Sequence, residues 1–158
     1  MSTGTNLIGE FECRIDEKGR IIFPSKLKKQ ISPLAEGKFT IINGFDKCLV
    51  IYPQNEWDII TADINKLNFF IEENRIFVRF FYRGLTESVL DSQNRILLPK
   101  SQFEYAGIEK DVILCAYSNR VEVWAKDKYS VMMKEPPADF ARIAERVMGV
   151  KQQNNAPG

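Results

Sequence analysis

One ten-residue phrase occurs twice in this chain. Ile15-Asp16-Glu17-Lys18-Gly19-Arg20-Ile21-Ile22-Phe23-Pro24 returns as Leu90-Asp91-Ser92-Gln93-Asn94-Arg95-Ile96-Leu97-Leu98-Pro99, a uniform shift of 75 positions. Each copy runs Asp, three turn-compatible residues, Arg, three apolar residues and Pro. Upstream, Gly9 and Glu12 recur as Gly84 and Glu87. Downstream, at a slightly smaller shift, Thr40-Ile41-Ile42 and Leu49-Val50-Ile51-Tyr52 recur as Val112-Ile113-Leu114 and Val121-Glu122-Val123-Trp124. A duplication of this kind restricts the fold to two like units packed together. Each unit is about 50 residues, near the size where a single core becomes marginal, so the units need each other or another subunit.

Within a unit the pattern is mostly β. Phe11, Cys13 and Ile15 alternate with Glu12 and Arg14 as in a strand. Asp16-Glu17-Lys18-Gly19 reads as a tight turn, with Gly19 free to take positive φ. Ile21-Ile22-Phe23 is predicted as the returning strand, stopped by Pro24, which has no N–H for a ladder. Ser25 is placed as the cap of a short basic helix over Lys26 to Gln30, followed by a second hairpin over Phe39 to Ile42 and Cys48 to Tyr52. Between the units, Glu56 to Tyr82 reads as helical over most of its length. Leu67, Phe70, Ile71, Phe77, Val78 and Phe81 form one stripe, and Phe69, Ile76 and Phe80 form another on roughly the opposite side. A helix apolar on two faces is buried on both, the second against a neighbouring subunit or between the two halves. Pro136-Pro137 opens a last helix with Phe140, Ile143, Ala144 and Val147 on one face.

The expected organisation is therefore α+β. A first repeat spans 7–57, a connecting helix 58–83, a second repeat 84–130, a C-terminal helix 131–150 and a disordered tail 151–158. The polar N-terminus lacks a secretory pattern, and no apolar run reaches bilayer length, so a soluble intracellular protein is expected. Three cysteines without CxxC spacing fit a reducing compartment and read as inert thiols.

Enzyme chemistry finds little support. The chain has no histidine, which removes His-based triads and His metal ligands, and it has no phosphate-cradling glycine loop. No cofactor and no small-molecule substrate are expected. The cations carry more information. From Arg14 to Lys29 six cations (Arg14, Lys18, Arg20, Lys26, Lys28, Lys29) face two acids, on a turn and a short helix able to project from a compact body. Such residues suit phosphates and guanine edges. The bland alternative is that Arg20 merely pairs with Asp16 while the lysines keep the surface soluble. Recurrence of the Arg favours the former. The second copy is less basic, with Gln93 and Asn94 in place of Lys18 and Gly19.

Two Asp-x-x-x-Arg motifs, each followed by an apolar triplet and Pro and separated by a long apolar segment, resemble the MraZ family. The likeness runs from about Leu7 to Val150 and includes Phe103-Glu104-Tyr105-Ala106-Gly107-Ile108. It implies two AbrB-like (SpoVT-AbrB) halves forming a pseudo-twofold, β-barrel-like core with a central and a C-terminal helix. It further implies a cytoplasmic, nucleoid-associated regulator, often a repressor, of its own division and cell-wall operon. Such a regulator binds repeated boxes in double-stranded promoter DNA as a ring-shaped homo-oligomer. Carried over by position, Lys18 and Arg20 are the DNA-binding candidates of the first motif and Arg95 that of the second; Arg14 is added from the charge pattern. The competing expectation is an oligomeric scaffold with structural Asp–Arg turns.

Overall fold

A computed structural model describes residues 5–154. β1 (Leu7–Arg14) leads into β2 (Arg20–Ile22), and the short α1 (Ser25–Lys28) precedes a 3-10 turn and the hairpin β3 (Lys38–Asn43) and β4 (Leu49–Pro53). Two helices follow, α2 (Gln54–Ile64) and α3 (Glu72–Phe81), and then the second copy: β5 (Thr86–Val89), β6 (Arg95–Leu97), α4 (Phe103–Ala106), β7 (Asp111–Ser118) and β8 (Arg120–Ala125). The last two helices are α5 (Lys126–Met132) and α6 (Phe140–Asn154). Residues 155–158 of the expected disordered tail lie outside the described residues, whereas α6 continues helically to Asn154.

Six strands form one antiparallel sheet in the order β1-β7-β8-β4-β3-β5. Exchanging the copies (β1 with β5, β3 with β7, β4 with β8) gives the same order read backwards. The two hairpins expected downstream are both present, with Ile41 opposite Ile51 and Leu114 opposite Val123. The expected β-barrel-like core is corrected: β1 and β5 are the edges of an open sheet, and the strands that could have continued it lie elsewhere. β2 does not return along β1, as the sequence suggested. It pairs with β6 of the other copy as a separate two-stranded ribbon, Ile21 opposite Ile96.

Period-two burial explains this layering. Ile21 and Phe23 of the first copy, with Ile96 and Leu98 of the second, turn inward from the ribbon and are each at most 1% exposed. They meet Phe39, Ile41, Leu49, Ile51, Leu114 and Val123 on one face of the sheet, forming the main core. Phe23 and Phe39 pack with ring centroids 5.3 Å apart. The alternate residues Ile42, Val50 and Tyr52 bury on the opposite face beneath Trp57 of α2 and Tyr129 of α5. Buried on both faces, β3 and β4 read as continuous apolar runs rather than as alternating ones.

Two further expectations change. Ser25 is the first helical residue of α1 rather than its cap; Pro24 is the cap, and its carbonyl accepts from the N–H groups of Leu27 and Lys28 at 3.0 and 2.8 Å. The connecting helix is broken. Asn68 Oδ1 accepts from Phe70 N at 3.0 Å, an Asx-type turn that competes with helix continuation. Asn74 Nδ2 and Arg75 Nη1 donate to the carbonyls of Asn68 and Phe69, at 2.9 Å each, and hold the bend. Nor is α3 buried on two faces: none of its residues is buried within the chain. Phe81 stacks on Trp57 at 5.8 Å, while Phe80 is 63% exposed and Phe70, in the bend, 97%.

Candidate nucleic-acid interface

Each Asp-x-x-x-Arg motif closes around its own carboxylate. Asp16 Oδ1 accepts from Lys18 N and Arg20 N, both at 2.9 Å, and Asp16 Oδ2 accepts from Arg20 Nε at 2.8 Å. Asp91 repeats the pattern, with Gln93 N at 2.9 Å, Arg95 N at 2.8 Å and Arg95 Nε at 2.7 Å. A main-chain bond from Gly19 N to Asp16 O, matched by Asn94 N to Asp91 O, completes each turn. Gly19 has φ +89 and Asn94 φ +60; asparagine tolerates the left-handed region better than most residues, so the second turn survives loss of its glycine. Backbone N–H donation from the Arg, then its guanidinium, hold both Asp carboxyls below their ordinary 3.8, against partial desolvation.

A depressed folded-state pKa contributes stability that is present above the ordinary value and lost as pH falls through the folded value. Asp91→Asn is therefore expected to lower the melting temperature at neutral pH, with the gap to the parent narrowing as pH drops below 3.8. Thermal melts across a pH series check this; a gap independent of pH contradicts it.

The two turns are interlocked. Leu98 N donates to Gly19 O and Phe23 N to Asn94 O, each at 2.8 Å, so each turn is tied to the other copy's return strand. Lys100 Nζ reaches Glu17 O, and Lys28 Nζ reaches Asn94 Oδ1, both at 2.6 Å. Lys28, counted with the first cluster in the sequence, thus serves the second turn. Lys100 serves the first, and sequence reasoning missed it, because nothing local connects residue 100 to residue 17.

Among the sequence-predicted residues, Arg20 and Arg95 are brought together. Arg20 lies opposite Leu97, and Arg95 opposite Ile22, on the short ribbon. With Ile21, Phe23, Ile96 and Leu98 turned inward, strand alternation directs Arg20, Ile22, Arg95 and Leu97 to the outer face. Both arginine side chains are about one-quarter exposed (26% and 27%), with Nε on the Asp and no ion pair beyond it among the described residues. Among the described residues, neither guanidinium makes a hydrogen bond or ion pair through its Nη groups. Lys18 is exposed at the tip of the first turn. Arg14 ends β1 and shares an open cleft with Ile15, Asp16, Glu17 and Lys110. Neither Lys18 nor Arg14 makes an ion pair among the described residues. Val89 and Gln93 occupy the places of Arg14 and Lys18 beside the second turn, so the first end of the ribbon carries more positive charge.

Burial pushes the Cys13 thiol up to about 11 and the Cys48 thiol up to about 12, so both are protonated and unreactive near neutral pH. Among the described residues, no helix is long and apolar enough to cross a membrane, and no group of three His, Cys, Asp or Glu side chains is placed to hold a metal ion.

Comparison with known proteins agrees with the duplication. The family described as "MraZ protein, putative antitoxin-like" matches residues 7–80 and again residues 81–151. A transcriptional regulator MraZ of Christiangramia forsetii is 43% identical over 145 residues, covering 91% of this chain and 94% of its own. Proteins of the same name from Flavobacterium psychrophilum and Desulforamulus reducens are 40% and 37% identical, over 90% and 89% of this chain and 92% and 96% of theirs. With both halves matched and relatives aligned almost end to end, the chain belongs to the MraZ family.

Proposed function

We propose that this protein is a transcriptional regulator that binds double-stranded promoter DNA in a sequence-specific manner, acting as a repressor of its own division and cell-wall operon. The observation that carries the reading is the convergence of Arg20 and Arg95 on the outer face of one two-stranded ribbon, each guanidinium braced by a carboxylate. A β-ribbon fits the major groove, and Arg is the residue best suited to guanine O6 and N7. Lys18 and Arg14 supply phosphate contacts at the first end. The relatives' shared name, transcriptional regulator, supports the same role.

The scaffold reading has one observation in its favour: both arginines do hold their turns through Nε. It gives no reason for the outward placement of four cations, however.

Assembly into a ring-shaped homo-oligomer is part of the proposal. Phe70, Ile76 and Phe80 around α3, and Phe140, Val147 and Met148 along α6, are all at least 46% exposed. Apolar surface of that extent marks an interaction site. A ring presents several ribbons at once, and tethering raises avidity without new contacts per ribbon.

Selection of bound duplexes from a random DNA pool tests the function. Enrichment of one short box, repeated in the region upstream of the protein's own coding sequence, is expected. Recovery of unenriched DNA, or of none, overturns sequence-specific regulation.

A further inference from the structure

The outer face of the ribbon holds two residues whose presence neither fold nor charge explains. Ile22 is 67% exposed and Leu97 52% exposed, although each ends a three-residue strand and is flanked in the chain by buried neighbours, Ile21 and Phe23 in one copy and Ile96 and Leu98 in the other. The β2–β6 register places Ile22 directly opposite Arg95 and Leu97 directly opposite Arg20. The four outward side chains thus form a tetrad, two arginines on one diagonal and two aliphatics on the other. The 75-residue shift relates Arg20 to Arg95 and likewise Ile22 to Leu97. A polar residue at 22 or 97 costs the core nothing, because the inward positions are 21, 23, 96 and 98.

We infer that Ile22 and Leu97 are specificity-determining residues that read thymine methyl groups in the major groove. This rests on the DNA-binding reading above. The occupant follows from the chemistry of the tetrad. Two guanidiniums with free Nη groups call for a polyanion with acceptor edges, and the cations Arg14 and Lys18 at one end extend the same demand. A protein surface that buried Ile22 and Leu97 would also desolvate two arginines and would have to supply acceptors for their Nη groups. In duplex DNA the need is met: guanine O6 and N7 accept from Arg, and the C5-methyl of thymine is the one apolar group the major groove presents. Each diagonal then reads one kind of base feature, and a box combining guanines with thymine-bearing pairs is the predicted target.

Removing the methyl groups rather than the side chains gives a clean test. The probe is the region upstream of the protein's own coding sequence, prepared with thymidine or with deoxyuridine throughout, and measured by fluorescence anisotropy. The unmodified protein is expected to bind the deoxyuridine duplex about fourfold more weakly for each methyl contacted, the scale of one buried methyl or methylene group. The double variant Ile22→Ser/Leu97→Ser should bind both duplexes alike, with its salt dependence unchanged because no phosphate contact is lost. Equal binding of the two duplexes by the unmodified protein overturns the inference and leaves the DNA-binding reading intact; no binding to the thymidine duplex overturns that reading itself. A persisting preference for thymidine in the double variant also overturns the inference, as does a fall in oligomer mass on gel filtration, which assigns the pair to a contact between copies.

Discussion

Arg20→Ala is expected to lower affinity for the selected duplex by about tenfold to a hundredfold for each subunit engaged, the range of one bidentate base contact. The turn itself should survive. Of the three bonds Asp16 accepts, two come from backbone N–H groups of Lys18 and Arg20, which the substitution retains. Interlocking with the other copy also persists, since Leu98 N still donates to Gly19 O. Gel filtration should therefore show an unchanged mass while the mobility shift is lost. Arg20→Lys sharpens the result, because it keeps the charge but not the planar fork. That variant should bind random duplexes about as well as the parent while losing preference for the selected box. Undiminished binding by Arg20→Ala removes the first turn from the mechanism; loss of folded protein assigns Arg20 a structural role.

The second large effect concerns assembly. Phe80→Asp is expected to convert the oligomer to smaller species, measured as mass by light scattering. Phe80 is 63% exposed within the chain, so its replacement deletes little internal packing, and substitutions at such sites usually change stability by no more than about 0.5 kcal/mol. Arg83, whose guanidinium lies 5.6 Å from the Phe80 ring, can accommodate the new carboxylate. At an interface, by contrast, the same change buries a charge against apolar groups, which is strongly unfavourable. The dissociated variant should retain its melting profile and bind DNA weakly, because avidity is gone. A parent protein that is already monomeric contradicts the ring.

Much of this architecture was legible because it depends on local signals. Asp16 and Asp91 marked their turns, Asn94 was compatible with the positive φ it adopts, and the apolar runs of β3, β4, β7 and β8 marked the sheet. The partner of β2 was not legible. Ile21 and Phe23 need an inward face, and pairing with β1 or with β6 satisfies that alternation equally well. The choice is settled by bonds between distant residues, Leu98 to Gly19 and Phe23 to Asn94. The break between α2 and α3 was hidden for another reason: apolar periodicity continues through Leu67, Phe70 and Ile71 and does not register the turn that Asn68 makes. In the site, residue types were readable and their assembly was not. The sequence suggested one basic turn and one less basic turn, with nothing to show that they share a surface. The ribbon instead places Arg20 and Arg95 on one surface and exposes Ile22 and Leu97 between them.

The exchange of return strands also governs how the chain can form. During synthesis β1 and β2 leave the ribosome first, yet β2 has no partner until Arg95 to Leu97 emerge, and β1 none until Asp111 to Ser118. Neither copy can complete itself while the other is missing. The early segments wait with unpaired edges and an uncovered Phe23, a period in which nascent chains are vulnerable to association. Two repeats that follow one another in the sequence make one interlocked structure, sealed only when its second half arrives.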